Sequence, residues 1–446
     1  MGRGKVRFFR RTSARFEKPR AEAKGAVTPE GAEPEDLEGL GATPVEVAGE
    51  YWYNCGEMKS VPKPSVRSRL NSPLLPLLVV AVAYCAFLNA RLAVHGYDPS
   101  VFVMAGDEWC NPERVPASLT VQPRSPGYDG QWYYRLALDP FPTQADDHGV
   151  RLPSPSYRQQ RLLYPLLTWM LSLGRPSLVP AALILVNYLA LCALGWVGGR
   201  YAQSLKQHAL WGVAFALYPG FLLSLARDLT EILEVTLLLS GLLLLRRRRH
   251  LWAALLLASA VLTRETAMGA VGAALVLWLA PVWGGRGREK VAWQVAVIPL
   301  ATFWLWQGLL FWRWGQFGVG ASTRRLGLPF GGILGSCLEN AHSRGGVPLL
   351  WLMEVTFLLA LAVAVLSSLR ASAASVVEKA SWALYAAVAL FLTRAVWVED
   401  WAFLRVVSEF YVLGAVVLVG AGSKWRWFIF PWSLGLWAFL FVTRMH

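Results

Sequence analysis

The chain has 446 residues, of which 55% are hydrophobic and only 16% charged, with a formal net charge of +14. Soluble domains usually carry about 25% charged residues, so this composition excludes a string of ordinary soluble domains and indicates an integral membrane protein. The positive balance does not indicate nucleic-acid binding: Arg and Lys gather in the first residues and in short loops between apolar runs, and no basic module with base-reading chemistry is present.

Residues 1–70 read as a cytoplasmic tail, basic at first (Arg3, Lys5, Arg7, Arg10, Arg11), then acidic and rich in Gly and Pro (Glu30, Glu33, Glu35, Asp36, Glu38). No apolar periodicity runs through the tail, so it is expected to be disordered. The first apolar run begins only near Pro73, too late for a signal peptide.

Apolar segments follow at 73–92, 177–197, 208–225, 229–245, 251–263, 267–283, 291–312, 348–369, 382–398, 402–421 and 427–443. Most approach the roughly 17 to 25 residues of a membrane-spanning helix, and Trp278, Trp283, Trp312, Trp425 and Trp427 mark run ends as interfacial anchors. Cationic loops (Arg246 to Arg249; Arg286, Arg288 and Lys290; Lys424 and Arg426) separate the runs. About eleven transmembrane helices keep all of these, with the basic tail, on the cytoplasmic side.

Segment 161–173 does not fit as a crossing. Its length reaches about 20 Å against about 30 Å of hydrocarbon, and Pro165 weakens it further. It reads as re-entrant or interfacial, which makes 93–176 one long external loop. The expected fold is therefore an all-α polytopic membrane domain over 73–445, with a large first external loop that includes interfacial helices.

Helix parity places the turns 226–231, 263–266 and 398–401 and the loop 313–347 on the same external face. Asp129 opens the aromatic run Gln131-Trp132-Tyr133-Tyr134. It reads either as a helix cap accepting backbone N–H bonds or as a carboxylate that takes a proton from a hydroxyl. Asp107 reads as a solvated loop carboxylate, or as a second acid positioning an acceptor or a divalent ion. Asp139, Asp146 and Asp147 read as solvated.

Arg158 and Arg161 fall at headgroup depth, where guanidinium groups anchor lipid or bind phosphate. Arg227, Asp228 and Glu231 share one external turn; Arg264 and Glu265 share another. Because arm 251–263 is short, Arg264 and Glu265 should dip below the surface, where ionisable groups pair or line a wet cavity. Glu234 is a further member of that set. Arg405 and Glu409, one helical turn apart, read as part of the cavity or as a structural pair with each other.

The five cysteines have no metal-type spacing, and a bond between Cys110 and Cys337, both placed outside, is left open. The six histidines are scattered, and GxSxG, Walker and HExxH motifs are absent. These absences argue against a zinc enzyme, a serine esterase and an ATP-driven pump, and no metal site is assigned.

The string YDGQWYYRLA (128–137) in a long first loop, the stretch RLLYPLL (161–167) and the helix pair ARDLTEILEVTLLL to VLTRETAMG (226–269) resemble the GT-C superfamily of membrane glycosyltransferases. The nearest likeness is to its GPI-mannosyltransferase II-like branch and bacterial relatives. One departure is the lack of a clear Asp-X-Asp in the first loop. The resemblance implies a GT-C-like fold that moves a sugar, mannose in that branch, from a polyprenyl-phosphate donor to a lipid, glycan or protein acceptor on the external face of a cell membrane, with inversion. It implies Asp129 or Asp107 as base and Arg158, Arg161 and Arg264 on the donor phosphate. Tyr128, Arg227, Asp228, Glu231 and Glu265 would line the cavity. No cofactor is assigned, and a divalent cation is left open. The competing reading is a transporter or flippase for a lipid-linked or anionic solute, which should show repeat symmetry and polar residues at the midplane. No internal repeat is evident, and the ionisable residues gather on one face.

Overall fold

The computed structural model describes residues 5–7, 43–47, 50–54, 71–280, 291–322, 326–343 and 348–443. The chain divides into two units, Met1–Arg69 and Leu70–His446. In the first unit, β1 (Lys5–Arg7), β2 (Thr43–Val47) and β3 (Glu50–Asn54) form an antiparallel sheet in the order β1–β3–β2. The β-branched and aromatic residues of TPVEV and EYWYN suit a pleated surface. The rest of the tail, with Cys55, and the cationic loop at Arg286, Arg288 and Lys290 lie outside the described residues.

The second unit is predominantly helical. It begins with α1 (Leu74–Val94), which is 21 residues long and spans about 32 Å. The loop that follows carries two small ladders, β4 (Ala105–Gly106) parallel to β5 (Val121–Gln122), and β6 (Asp146–Asp147) antiparallel to β7 (Val150–Arg151). It also carries α2 (Gly130–Leu138), α3 (Pro155–Gln159) and α4 (Leu163–Ser172). At ten residues α4 covers only about 15 Å, too short to cross.

Next is α5 (Val179–Ser204), packed on α1. The apolar segment 208–225 is not one helix. It breaks into α6 (Gly212–Ala216) and α7 (Pro219–Leu225), because Pro219 disfavours helical backbone at Tyr218, which is extended at φ −97° and ψ 134°. Then α8 (Glu231–Arg246), α9 (His250–Thr263) and α10 (Met268–Leu279) form short hairpins, with α9 resting against α8 and against α11 (Trp293–Trp314). After a single helical turn at Val319–Ser322 come α12 (Gly331–Ser343), α13 (Leu349–Ser368), α14 (Val376–Phe391), α15 (Arg394–Trp397), α16 (Asp400–Val406), α17 (Ser408–Ala421) and α18 (Arg426–Thr443).

Among the described residues, five helical stretches are long and apolar enough to cross a membrane: Leu74–Val94, Pro176–Ser204, Trp293–Trp314, Leu349–Ser368 and Arg426–Thr443. The other apolar segments form shorter or broken helices. Large apolar side chains project from the long helices, Leu305 and Trp312 on α11 being 71% and 79% exposed. Such surface suits hydrocarbon rather than water. The core instead centres on α17, whose Val412, Leu413, Ala415, Val416 and Val417 are fully buried.

Candidate active site

The site starts with the glycines around Asp129. Gly127 has φ +64°, and a Cβ there would lie 2.6 Å from the Gly106 nitrogen and from Gln131 Oε1. Gln131 locks the turn: its Oε1 accepts from the Gly106 N–H at 3.1 Å, and its Nε2 donates to the Pro126 carbonyl at 3.0 Å. Gly130 is pressed against the turn before α8, so that a Cβ would stand 2.5 Å from the Arg227 carbonyl oxygen and 2.7 Å from that of Val103. The missing side chains are what bring the start of α2 onto the 226–230 turn.

Asp129 does not cap α2, which corrects one of the two sequence readings. Its own backbone is already helical (φ −58°, ψ −26°), and its carboxylate makes no bond to the helix N–H groups. The side chain instead accepts from Arg158 Nη1 at 3.0 Å and lies 3.7 Å from Arg405 Nη2. The Arg158 guanidinium carbon lies over the Trp132 ring, 3.3 Å from its centre. This stacking fixes its plane and shields one face from water.

Ion pairs continue from there. Arg405 donates to Glu231 Oε1 at 2.8 Å, and Arg264 Nη1 lies 3.4 Å from the same oxygen. Arg161 forms a forked pair with Glu265, Nη2 to Oε1 at 2.8 Å and Nε to Oε2 at 3.0 Å. It also donates to the Tyr133 and Tyr157 hydroxyls at 2.8 and 3.1 Å. Tyr128 lies between two cations, with Arg227 at 4.0 Å and Arg405 at 5.1 Å from its ring centre. Forked guanidinium–carboxylate pairs are strong where water is excluded, and each residue of the Arg161–Glu265 and Arg264–Glu231 pairs is at least about nine-tenths buried.

A cavity of about 300 Å³ opens beside the network. One flank carries Arg161, Arg264, Glu265 and Glu409; the other is apolar, with Leu384, Val388, Ala389 and Leu392 among its residues. Tyr385 ties the two flanks, donating to the Thr266 carbonyl at 2.9 Å. Among the described residues no group of His, Cys, Asp and Glu could hold a metal ion.

Of the residues singled out in the sequence, Asp129, Arg158, Arg161, Arg264, Glu231 and Glu265 join this network, with Tyr128 and Arg227 stacked beside it. Asp107 is used elsewhere. Its two oxygens accept the backbone N–H groups of Arg124 and Ser125 at 2.7 and 3.0 Å, which staples an exposed loop. These bonds hold its carboxyl below the usual carboxylate range. Asp228 is fully buried at φ 49°, with no hydrogen-bond partner for either oxygen among the described residues, and it does not line the cavity. Asp147, read as solvated, pairs with the buried Arg135 at 3.2 Å.

Two sequence readings change. Arg405 turns to Glu231 and Asp129 rather than to Glu409, because the helix breaks at Val407 and the one-turn spacing no longer aligns the two side chains. Cys110 and Cys337 are both free; Cys110 is buried against Gln131 Oε1 at 3.4 Å, and burial pushes its thiol up to about 11. Sequence reasoning also missed that Trp132, Tyr133 and Tyr157 hold arginines. Aromatic residues alternating with Arg158 and Arg161 in the first loop were the available signal. No protein-family model, curated protein or solved structure matches the chain.

Proposed function

We propose that this chain is a membrane glycosyltransferase of GT-C type, which moves a sugar from a polyprenyl-phosphate donor to a hydroxyl acceptor with inversion. Mannose is the first sugar to try. In this reading the eleven apolar segments cross the membrane as full, short or broken helices. The tail is cytoplasmic, and the Asp129 side of the molecule is external.

The supporting observation is the continuity between Asp129 and the cavity. The carboxylate joins, through Arg405 and Glu231, to Arg264 on the wall of a cleft that carries ionisable groups, two arginines and two glutamates, on one flank and is apolar on the other. The acceptor oxygen attacks the anomeric carbon as its proton passes to the Asp129 carboxylate. The bond from that carbon to the phosphate oxygen breaks, and the polyprenyl phosphate leaves with the electron pair. Arg264, with Arg161 beside it, would stabilise the growing phosphate charge, and fixed guanidinium groups in a water-poor cleft do this well. Arg158 stacked on Trp132 would hold the Asp129 carboxylate in place.

The test is reconstitution of the full chain in liposomes with decaprenyl-phosphate mannose and a panel of lipid, glycan and peptide acceptors, following release of decaprenyl phosphate. Turnover is expected, and Asp129→Asn should lower it by about 10²- to 10⁴-fold, the usual contribution of a general base. If no polyprenyl-phosphate sugar turns over with any acceptor, the reading is wrong. Translocation of the donor without turnover would indicate a flippase instead.

A further inference from the structure

Two guanidinium groups compete for one oxygen of Glu231. Arg405 holds Oε1 at 2.8 Å, while Arg264 reaches the same atom only at 3.4 Å. The second oxygen, Oε2, has no hydrogen-bond partner among the described residues, although Glu231 is fully buried. Arg264 is 3% exposed and lines the cavity, and among the described residues its Nε and Nη1 make no hydrogen bond, Nη1 having only the 3.4 Å ion-pair contact to Glu231. Buried guanidinium groups normally fill their hydrogen-bonding capacity, so Arg264 is a donor held back from full pairing. Arg405 is stretched in turn, with a short bond to Glu231 and a 3.7 Å contact to Asp129.

We infer that Glu231 is a positioning residue that keeps Arg264 in reserve, and that a phosphate anion reaching Arg264 changes the hold of Arg405 on Asp129. This rests on the glycosyltransferase reading. A phosphate oxygen offers Arg264 a charged, forked partner in place of one long contact. As Arg264 turns to the phosphate, Glu231 keeps Arg405 as its one close-range ion pair among the described residues and draws it closer. The 3.7 Å contact to Asp129 is the longest in the chain and lengthens first. Asp129 keeps its 3.0 Å contact to Arg158. Arrival of the donor phosphate thus changes the setting of the acceptor-side carboxylate, and by linkage the state of Asp129 feeds back on phosphate affinity.

The sign of one substitution separates this from a bracing role. In Glu231→Gln the competitor for Arg264 loses its charge, so a lipid phosphate should bind more tightly. A residue that only braced the fold would weaken binding when changed. The full chain in nanodiscs is titrated with decaprenyl phosphate and, as a control for the tail alone, with decaprenol. Wild type should bind the phosphate and not the alcohol. Glu231→Gln should bind the phosphate about tenfold more tightly, equivalent to losing a competing pair of about 1.4 kcal/mol, and Arg264→Gln should lose binding.

If Glu231→Gln does not fold, Glu231→Asp serves instead. It shortens the reach by one methylene and gives up the 3.4 Å contact first, so a few-fold tightening is expected. Phosphate binding by wild type with equal or weaker binding by these variants overturns the inference and leaves the glycosyltransferase reading intact. Wild type that binds neither compound overturns both.

Discussion

Replacing Gly130 with alanine tests the contact on which the site is built, without knowledge of any substrate. The new Cβ would lie 2.5 Å from the Arg227 carbonyl oxygen and 2.7 Å from the Val103 carbonyl oxygen, where real Cβ contacts below 3.0 Å are essentially never seen. Both obstructing atoms belong to backbone, so no side-chain rotation relieves them. Overpacking of a rigid site costs about 1–3 kcal/mol, and with two backbone neighbours the upper part of that range, about 2–3 kcal/mol, is expected. The helix-propensity gain of alanine over glycine returns at most about 1 kcal/mol. Purified protein in detergent, followed by intrinsic fluorescence on heating, should show a midpoint about 4 °C below wild type at roughly 2 °C per kcal/mol. Gly308→Ala is the control: it lies within α11, with nothing within 4 Å of the new Cβ, and should hold or raise the midpoint. A Gly130→Ala midpoint at or above wild type would refute the close packing of α2 on the 226–230 turn.

Further expectations concern Asp107, Cys110 and the Arg161–Glu265 pair. Asp107 has a carboxyl depressed below its ordinary 3.8 by the Arg124 and Ser125 N–H groups, so its stabilisation is present above that value and is lost as pH falls through the folded-state pKa. Wild type should therefore melt above Asp107→Asn near neutral pH and lose that margin below about pH 3.8, with turnover far less affected than in Asp129→Asn. The Cys110 thiol, buried and pushed up to about 11, should resist maleimide at about pH 8 until the protein is denatured. Peptide mapping without reductant should find no bond to Cys337. Glu265→Gln leaves the buried Arg161 charge with tyrosine hydroxyls but no carboxylate and should destabilise by about 3–5 kcal/mol, whereas the double change to Arg161→Met and Glu265→Leu should cost less. A double-mutant cycle measures that coupling, and additive losses would sink the claim.

The parts of the molecule that follow from local periodicity were legible in the sequence. The first helix long and apolar enough to cross a membrane, the short α4 and the gathering of Arg264, Glu265 and Glu231 all come from run length and charge placement. Pro219 also marks the break in 208–225, which the apolar count alone passed over. The break at Val407 carries no such mark, since neither proline nor glycine is there; it became evident only where Arg405 turns to partners on other elements. Which acid faces the network was not legible either. Asp107 and Asp129 are both loop carboxylates among aromatic residues, and they differ in whether backbone N–H groups or distant arginines answer them. That depends on pairings between residues far apart in the chain, such as Arg161 with Glu265 across 104 positions.

That distance also bears on biogenesis. The first loop leaves the ribosome with Arg161 facing a partner not yet made. At about 5–20 residues per second, the 104 positions to Glu265 take on the order of 5–20 s. Arg405, which joins Asp129 to Glu231, comes later still, 174 positions after Glu231. During that interval Arg161 has the Tyr133 and Tyr157 hydroxyls and Arg158 has Asp129 and Trp132 within their own loop, but Arg161 has no carboxylate to pair with. The charge network therefore closes only once α16 has been made, and a chain stalled before α16 would leave Asp129 and Glu231 without their shared partner Arg405.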